Sequence, residues 1–328
     1  MSASEIISLI DKLDAKLAVL LCHHNADPDA ACAAFAFSQL LERLRPKLHT
    51  EIGAALGPSR LTKHVLKSLP MKLVKQPRID EADLIVLLDT NTIQQLDEWS
   101  DRVRTSNAPL VVIDHHARHP ETEQLATLSI ADEDASSTCE IVHRLFKETN
   151  VALTKPEAMA LFLGIAFDTR HFILANSATL KTVADLIDAG VNAKETLGLL
   201  SLPIELSERI ARLKASRRVK LMKMDNWLVA LSHVSAYQAS AARALVALGA
   251  HVAIVAGQRE NKVQLSLRAS PEFYEKTAVH LGRDVAKPLG EYLHGMGGGH
   301  AVSAGANGVG DVEATLKRCA KLLKDGLK

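Results

Sequence analysis

Short unbroken apolar runs alternate with stretches of helical periodicity through the first half of the chain. Residues 16–22 (KLAVLLC), 84–88 (LIVLL) and 110–113 (LVVI) read as strands, and residues 30–45 as an amphipathic helix. Strands without polar alternation are buried on both faces, so the pattern predicts an α/β fold with a doubly wound, mostly parallel sheet. A polar cluster follows each run: HHNADPD after the first, DTNT after the second and DHH after the third. All three clusters then fall at the carboxyl ends of strands, the edge where such sheets hold ligands.

The second half is patterned differently. A helical stretch at residues 193–216 is interrupted by Pro203 and reads as a linker between a domain of residues 1–192 and another of residues 217–328. Runs at 219–224 and 227–232 flank Asp225-Asn226 as in a hairpin. A helix is expected at 239–248, strands at 253–256 and 263–268 around the turn QREN, a glycine-rich loop at 295–299 and a closing helix at 311–327. These elements predict a smaller α/β domain.

Composition narrows the class. Apolar residues make up 47% of the 328 positions and charged residues 23%, the balance of a globular chain. No apolar stretch is long enough to cross a membrane. The opening segment has an early Glu5 and no basic run, so no secretory leader is expected. Four cysteines without CxxC spacing read as thiols of a reducing, cytoplasmic compartment. With 39 basic against 38 acidic residues, the chain lacks the excess that coating a long duplex requires. Any nucleic-acid substrate should be short.

The candidate chemistry lies in the polar clusters. His23, His24, Asp27 and Asp29 crowd one turn, where unpaired carboxylates would raise each other's pKa and oppose folding. A divalent cation reverses that penalty, since imidazole with carboxylate suits manganese, zinc or iron. A helix N-cap by Asp27 or Asp29 explains this cluster alone equally well. Asp89, Asp114-His115-His116 and Asp168 repeat the composition elsewhere, and four such clusters favour the metal reading.

Together, HxNxDxD at 23–29, Asp89, Asp114-His115-His116 and Asp168-Thr169 resemble the four motifs of the DHH phosphoesterase superfamily. Gly297-Gly298-Gly299-His300 resembles the signature of the DHH-associated domain. The resemblance implies two divalent ions, usually manganese. His23, Asp27 and Asp89 would hold one, Asp29, Asp89, His115 and Asp168 the other, and Asp89 would bridge them. It further implies His116 as a hydrogen-bond donor or general acid at the substrate phosphate, and Asp114 as the group orienting the histidine pair. His24 is expected to be a neighbour only. Arg268 and the Gly297, Gly298, Gly299 and His300 stretch would grip the substrate. Pro28, His119 and Arg170 depart from the residues usual in the family, without removing a ligand.

Within the superfamily, there is little room for the added domain of RecJ-type exonucleases, and the family II pyrophosphatases carry a basic motif in place of GGGH. The chain thus most resembles the nanoRNase and pAp-phosphatase proteins. Hydrolysis of short oligonucleotides to mononucleotides is the expectation, with pAp as a further substrate and a homodimer as a compatible assembly. A linear or cyclic dinucleotide phosphodiesterase is the alternative enzyme, and a non-catalytic nucleotide- or RNA-binding protein the alternative of another class. The basic run from Arg209 to Lys223 reads as a solvated face, and Ser136, Ser137 and Thr138 as a helix cap.

Overall fold

A computed structural model describes residues 3–327. The chain divides after Leu202 into two compact units. The first holds strands β1 (Leu17–Cys22), β2 (His49–Ala54), β3 (Leu84–Leu88), β4 (Leu110–Asp114) and β5 (Leu128–Ala131). All are parallel, in the order β2-β1-β3-β4-β5. Its helices are α1 (Ala3–Leu13), α2 (Pro28–Leu44), α3 (Arg60–Val65), α4 (Ser100–Thr105), α5 (Pro120–Leu125), α6 (Thr138–Glu148), α7 (Lys155–Asp168), α8 (Ser177–Asp188) and α9 (Ala193–Gly198).

The central strands are apolar throughout because both sheet faces are covered. Ala18, Leu20 and Cys22 of β1 join one core with α2, α6 and α7, while Leu17, Val19 and Leu21 join another with Ile93, Leu96, Trp99 and Val103. Helix α7 is apolar around most of its circumference and is accordingly buried from Ala160 to Ala166. The strand order turns back between β1 and β3, which opens a crevice beyond their carboxyl ends. Strands β2 and β5, at the two sheet edges, carry no unbroken apolar run and escape the sequence pattern.

The second unit holds α10 (Leu206–Arg217), β6 (Lys220–Met224), β7 (Trp227–His233), α11 (Gln238–Ala247), β8 (Val252–Arg259) and β9 (Lys262–Ala269). It continues with α12 (Pro271–Thr277), a π-helical turn (Leu281–Ala286), α13 (Lys287–Tyr292), β10 (Met296–Gly299), β11 (Ser303–Val309) and α14 (Val312–Gly326). The sheet order is β10-β11-β9-β8-β7-β6, antiparallel except for the β7–β8 pair. Pro203 lies in the non-helical stretch between α9 and α10. Among the described residues, no helix is long and apolar enough to cross a membrane.

One sequence expectation is corrected here. The glycine-rich stretch is not a loop but edge strand β10, paired with β11. Its glycines permit a close backbone approach: a Cβ on Gly297 would strike the Ala286 carbonyl, and one on Gly299 would come within 2.5 Å of the Ser303 carbonyl oxygen. Gly298 alone of the three meets nothing within 4 Å.

Candidate metal centre

The turn after β1 supplies His23 and Asp27. Asp27 does cap α2, accepting the Ala30 N–H at 3.1 Å, so the N-cap reading of that cluster is also true. Its other oxygen lies 3.7 Å from His23 Nε2. Although burial opposes the charge on both groups, their mutual attraction raises the His23 pKa and lowers that of Asp27. His24 turns away, with Nδ1 3.1 Å from the Gln95 carbonyl.

Asp29, one residue into α2, is fully buried. Its carboxylate sits on the N-terminus of α6, where Oδ2 accepts the Thr138 N–H at 2.7 Å and Oδ1 the Cys139 N–H at 3.0 Å. The positive end of a helix favours an anion there. Gly164 of α7 makes room for this arrangement, because a Cβ at that position would stand 2.6 Å from Asp29 Oδ1.

Asp89 directly follows β3 and has a left-handed backbone (φ 54°), a costly conformation that nearby contacts must hold. One such contact is the Thr138 hydroxyl, which donates to Asp89 Oδ1 at 3.0 Å. At the end of β4, Asp114 is buried and its Oδ1 takes both the backbone N–H and the ring Nδ1 of His116, each at 2.8 Å. Asp114 therefore orients His116 alone; the expected hold on the His115 ring is absent from its hydrogen bonds, which corrects the reading of a shared orienting group. Among the described residues, its Oδ2 has no hydrogen-bond partner, although it is buried.

His115 Nε2 lies 3.1 Å from Asp168 Oδ2 and 3.4 Å from Asp89 Oδ1, yet is in hydrogen-bond alignment with neither. Burial disfavours a charge on this ring, but Asp168, Asp89 and Asp29 outweigh burial and push its pKa up to about 11. Asp29 and Asp168 are both raised above the ordinary carboxylate range, first by burial and then by neighbouring carboxylates.

Three sets of ligand atoms come within 4.8 Å of one another: His23, Asp27 and Asp89; Asp29, His115 and Asp168; and Asp89, His115 and His116. Every residue expected to ligate is brought into one of these sets, and Asp89 belongs to two. Raised carboxyl pKa values, an imidazole between two carboxylates without hydrogen-bond alignment, and hard oxygen with borderline nitrogen donors all fit divalent cations.

The expected substrate residues lie in the second unit. Arg268, Gly298, Gly299, Ser303 and Asn307 line a cavity of about 290 Å³. Arg268 Nη1 donates to the Leu267 carbonyl at 2.8 Å and the Ala304 carbonyl at 3.3 Å, which fixes the guanidinium across the β9–β11 pair. Gly297 packs inward against Ala286, and the His300 side chain is exposed and outside that cavity.

Residues 18–165 match the DHH family, N-terminal domain. An uncharacterized protein of Methanocaldococcus jannaschii is 33% identical over 317 residues, covering 96% of this chain and 94% of its own. A probable manganese-dependent inorganic pyrophosphatase of Lactococcus lactis is 30% identical over 226 residues, covering 65% of this chain and 69% of its own. The chain belongs to the DHH family. An exopolyphosphatase-related protein from Bacteroides fragilis shares the fold, with a TM-score of 0.66 at 19% identity over 98% of this chain and 95% of that one.

Two features of this DHH chain are not carried by its motifs. Thr138 looks like one more member of a capping cluster, whereas its hydroxyl and N–H reach Asp89 and Asp29. Gly164 looks like a helix-weakening residue within α7, whereas it admits the Asp29 carboxylate. Ser137 does cap α6, accepting the Glu140 N–H as its sequence suggests.

Proposed function

We propose that this chain is a two-cation phosphoester hydrolase that cleaves short oligonucleotides to mononucleotides and removes a phosphate from pAp. The grouping of His23, Asp27 and Asp89 beside Asp29, His115 and Asp168 carries the reading, because Asp89 adjoins both sets. His23, Asp27 and Asp89 would hold one ion, and Asp29, Asp89, His115 and Asp168 the other. When bound, such ions supply an activated water and offset the charge that develops on the phosphate oxygens. The manganese-dependent relative supports manganese as the metal.

The protein's own groups complete the reaction. Hydrogen bonding to Asp114 raises the His116 pKa and fixes Nδ1 inward, which leaves Nε2 of this half-exposed ring to meet substrate. As water forms the new P–O bond and the ester P–O bond breaks, protonated His116 gives its proton to the leaving oxygen, and the proton shed by the attacking water passes to solvent. The helix-held Asp29 and the Thr138-held Asp89 cannot drift as charge shifts, and fixed dipoles of this kind contribute without reorganising.

The second unit supports a nucleotide over pyrophosphate. Among the described residues that line its cavity, Arg268 is the one cation, set among neutral Gln264, Ser266, Ser303 and Asn307. A small, highly charged anion calls for several cations, whereas a nucleotide needs one charged fork and neutral hydrogen-bonding groups. Four buried free thiols suit a reducing compartment, and we place the protein in the cytoplasm.

The test is a timed manganese assay on labelled oligonucleotides from dimers to long oligomers, pAp, cyclic dinucleotides and pyrophosphate. Fast conversion of the shortest oligomers to mononucleotides is expected. Phosphate release confined to pyrophosphate, or binding of oligonucleotides without turnover, overturns the reading.

A further inference from the structure

Asp168 ends α7, and the chain leaves it by an unusual path. Arg170, His171 and Phe172 are consecutive left-handed residues, with φ of 51°, 58° and 69°. That region crowds the Cβ of any L-residue and is normally visited singly, mostly by glycine. Here the path is firmly built. The His171 N–H donates to the Ala166 carbonyl at 2.7 Å and the Leu174 N–H to the Thr169 carbonyl at 3.0 Å. The Phe172 N–H donates to Thr169 Oγ1 at 3.1 Å, and the Phe172 ring meets Phe162 edge-on at 5.3 Å.

Phe172 thus has a packing role, but Arg170 has none. Its side chain is exposed, and among the described residues it makes no hydrogen bond or ion pair. Glycine would follow the same path with less strain, so the fold gives no reason for an arginine. Chemistry does. Arg170 stands two residues from Asp168, whose carboxylate is 3.1 Å from His115. Two residues of chain span at most ~7 Å, a distance that an extended arginine side chain can bridge. Exposed Ile173 and Leu174 follow it and add an apolar surface of the kind a nucleobase covers.

We infer that Arg170 is a substrate-binding, specificity-determining residue that forks onto a phosphate oxygen of the nucleotide substrate beside the metal centre. The inference rests on the phosphoesterase reading. Backbone strain is retained at this position because the guanidinium is needed there, a trade-off common at functional sites.

Three variants test it. Arg170→Gly should raise Tm by roughly 2–4 °C, because glycine accepts the positive φ, and should raise the KM for a dinucleotide about tenfold. Arg170→Ala should show the same KM loss without the gain in Tm. Arg170→Lys should fall between wild type and alanine, since ammonium keeps the charge but not the fork. Calorimetric binding of a non-hydrolysable methylenephosphonate dinucleotide gives the same comparison without turnover. Unchanged dinucleotide affinity in Arg170→Gly overturns the inference, whatever its Tm. If the wild type turns over neither the dinucleotide nor bis-p-nitrophenyl phosphate, the phosphoesterase reading fails instead.

Discussion

Replacing Gly164 by alanine sets two physical effects against each other. In a helix interior, alanine is favoured over glycine by about 1 kcal/mol, so propensity alone predicts a more stable protein. The new methyl carbon, however, would sit 2.6 Å from Asp29 Oδ1 and 3.1 Å from Asp29 Cα, and closer still to Cys139 Sγ. These groups must therefore shift by several tenths of an ångström, which disturbs the carboxylate's contacts with N–H donors at 2.7 and 3.0 Å. Overpacking costs about 1–3 kcal/mol, and weakening one charged hydrogen bond about 1.5–3 kcal/mol. Set against the propensity gain, the net loss is about 1.5–5 kcal/mol. Metal affinity should fall along with stability, because a displaced supporting contact typically costs 10–100-fold. Urea unfolding in chelator reports the first effect and manganese titration calorimetry the second. Wild-type stability together with wild-type manganese affinity would falsify the packing argument.

Asp89→Asn should abolish turnover and reduce bound manganese to one ion or none, because this residue adjoins both ligand sets; elemental analysis at saturating metal checks it. Manganese affinity should climb about tenfold per pH unit for each proton displaced, since the metal-free centre keeps His115 protonated up to about pH 11 and a ligating imidazole is neutral. The sign for the metal-free fold is opposite: a raised His115 pKa stabilises it fully below pH 6.5, and that contribution is lost as pH rises towards 11. Calorimetry across the neutral range in buffers of differing ionisation enthalpy would expose a pH-independent affinity, which contradicts both statements. Arg268→Ala should lower kcat/KM for a dinucleotide roughly 10–100-fold, and more than for bis-p-nitrophenyl phosphate; an equal loss on both would place Arg268 outside selective substrate grip.

The parts of the protein legible in its sequence are those where local pattern and tertiary role agree. Strands β1, β3 and β4 are apolar on both faces and show as unbroken runs, and the polar residues that end them stand out by contrast. Edge strand β2 reads HTEIGA, half exposed, and has no such contrast. Strand β10 is the opposite case, since glycine disfavours strands and the need for it lies in distant backbone: Ala286 of the π-helical turn against Gly297 and Ser303 of β11 against Gly299. The roles of Thr138 and Gly164 are likewise invisible to pattern, because each depends on a contact with Asp29 or Asp89 from distant chain. Asp114 was legible as an orienting group, but which histidine it serves is decided only by geometry.

The dispersal of the donor atoms has a consequence for biosynthesis. They come from four separate stretches, reached only when α7 ends at Asp168. A chain still emerging from the ribosome has no complete second ligand set until that helix has appeared and docked beside α2 and α6. On the proposed two-cation reading, tight metal capture would be a late event, and the ion would act as a cross-link among segments that are distant along the chain. By closing those long loops, it would stabilise the first unit against opening. Truncated chains that stop before Asp168 would lose that clasp, and nascent or nicked copies would surrender their cation to a chelator well before intact ones.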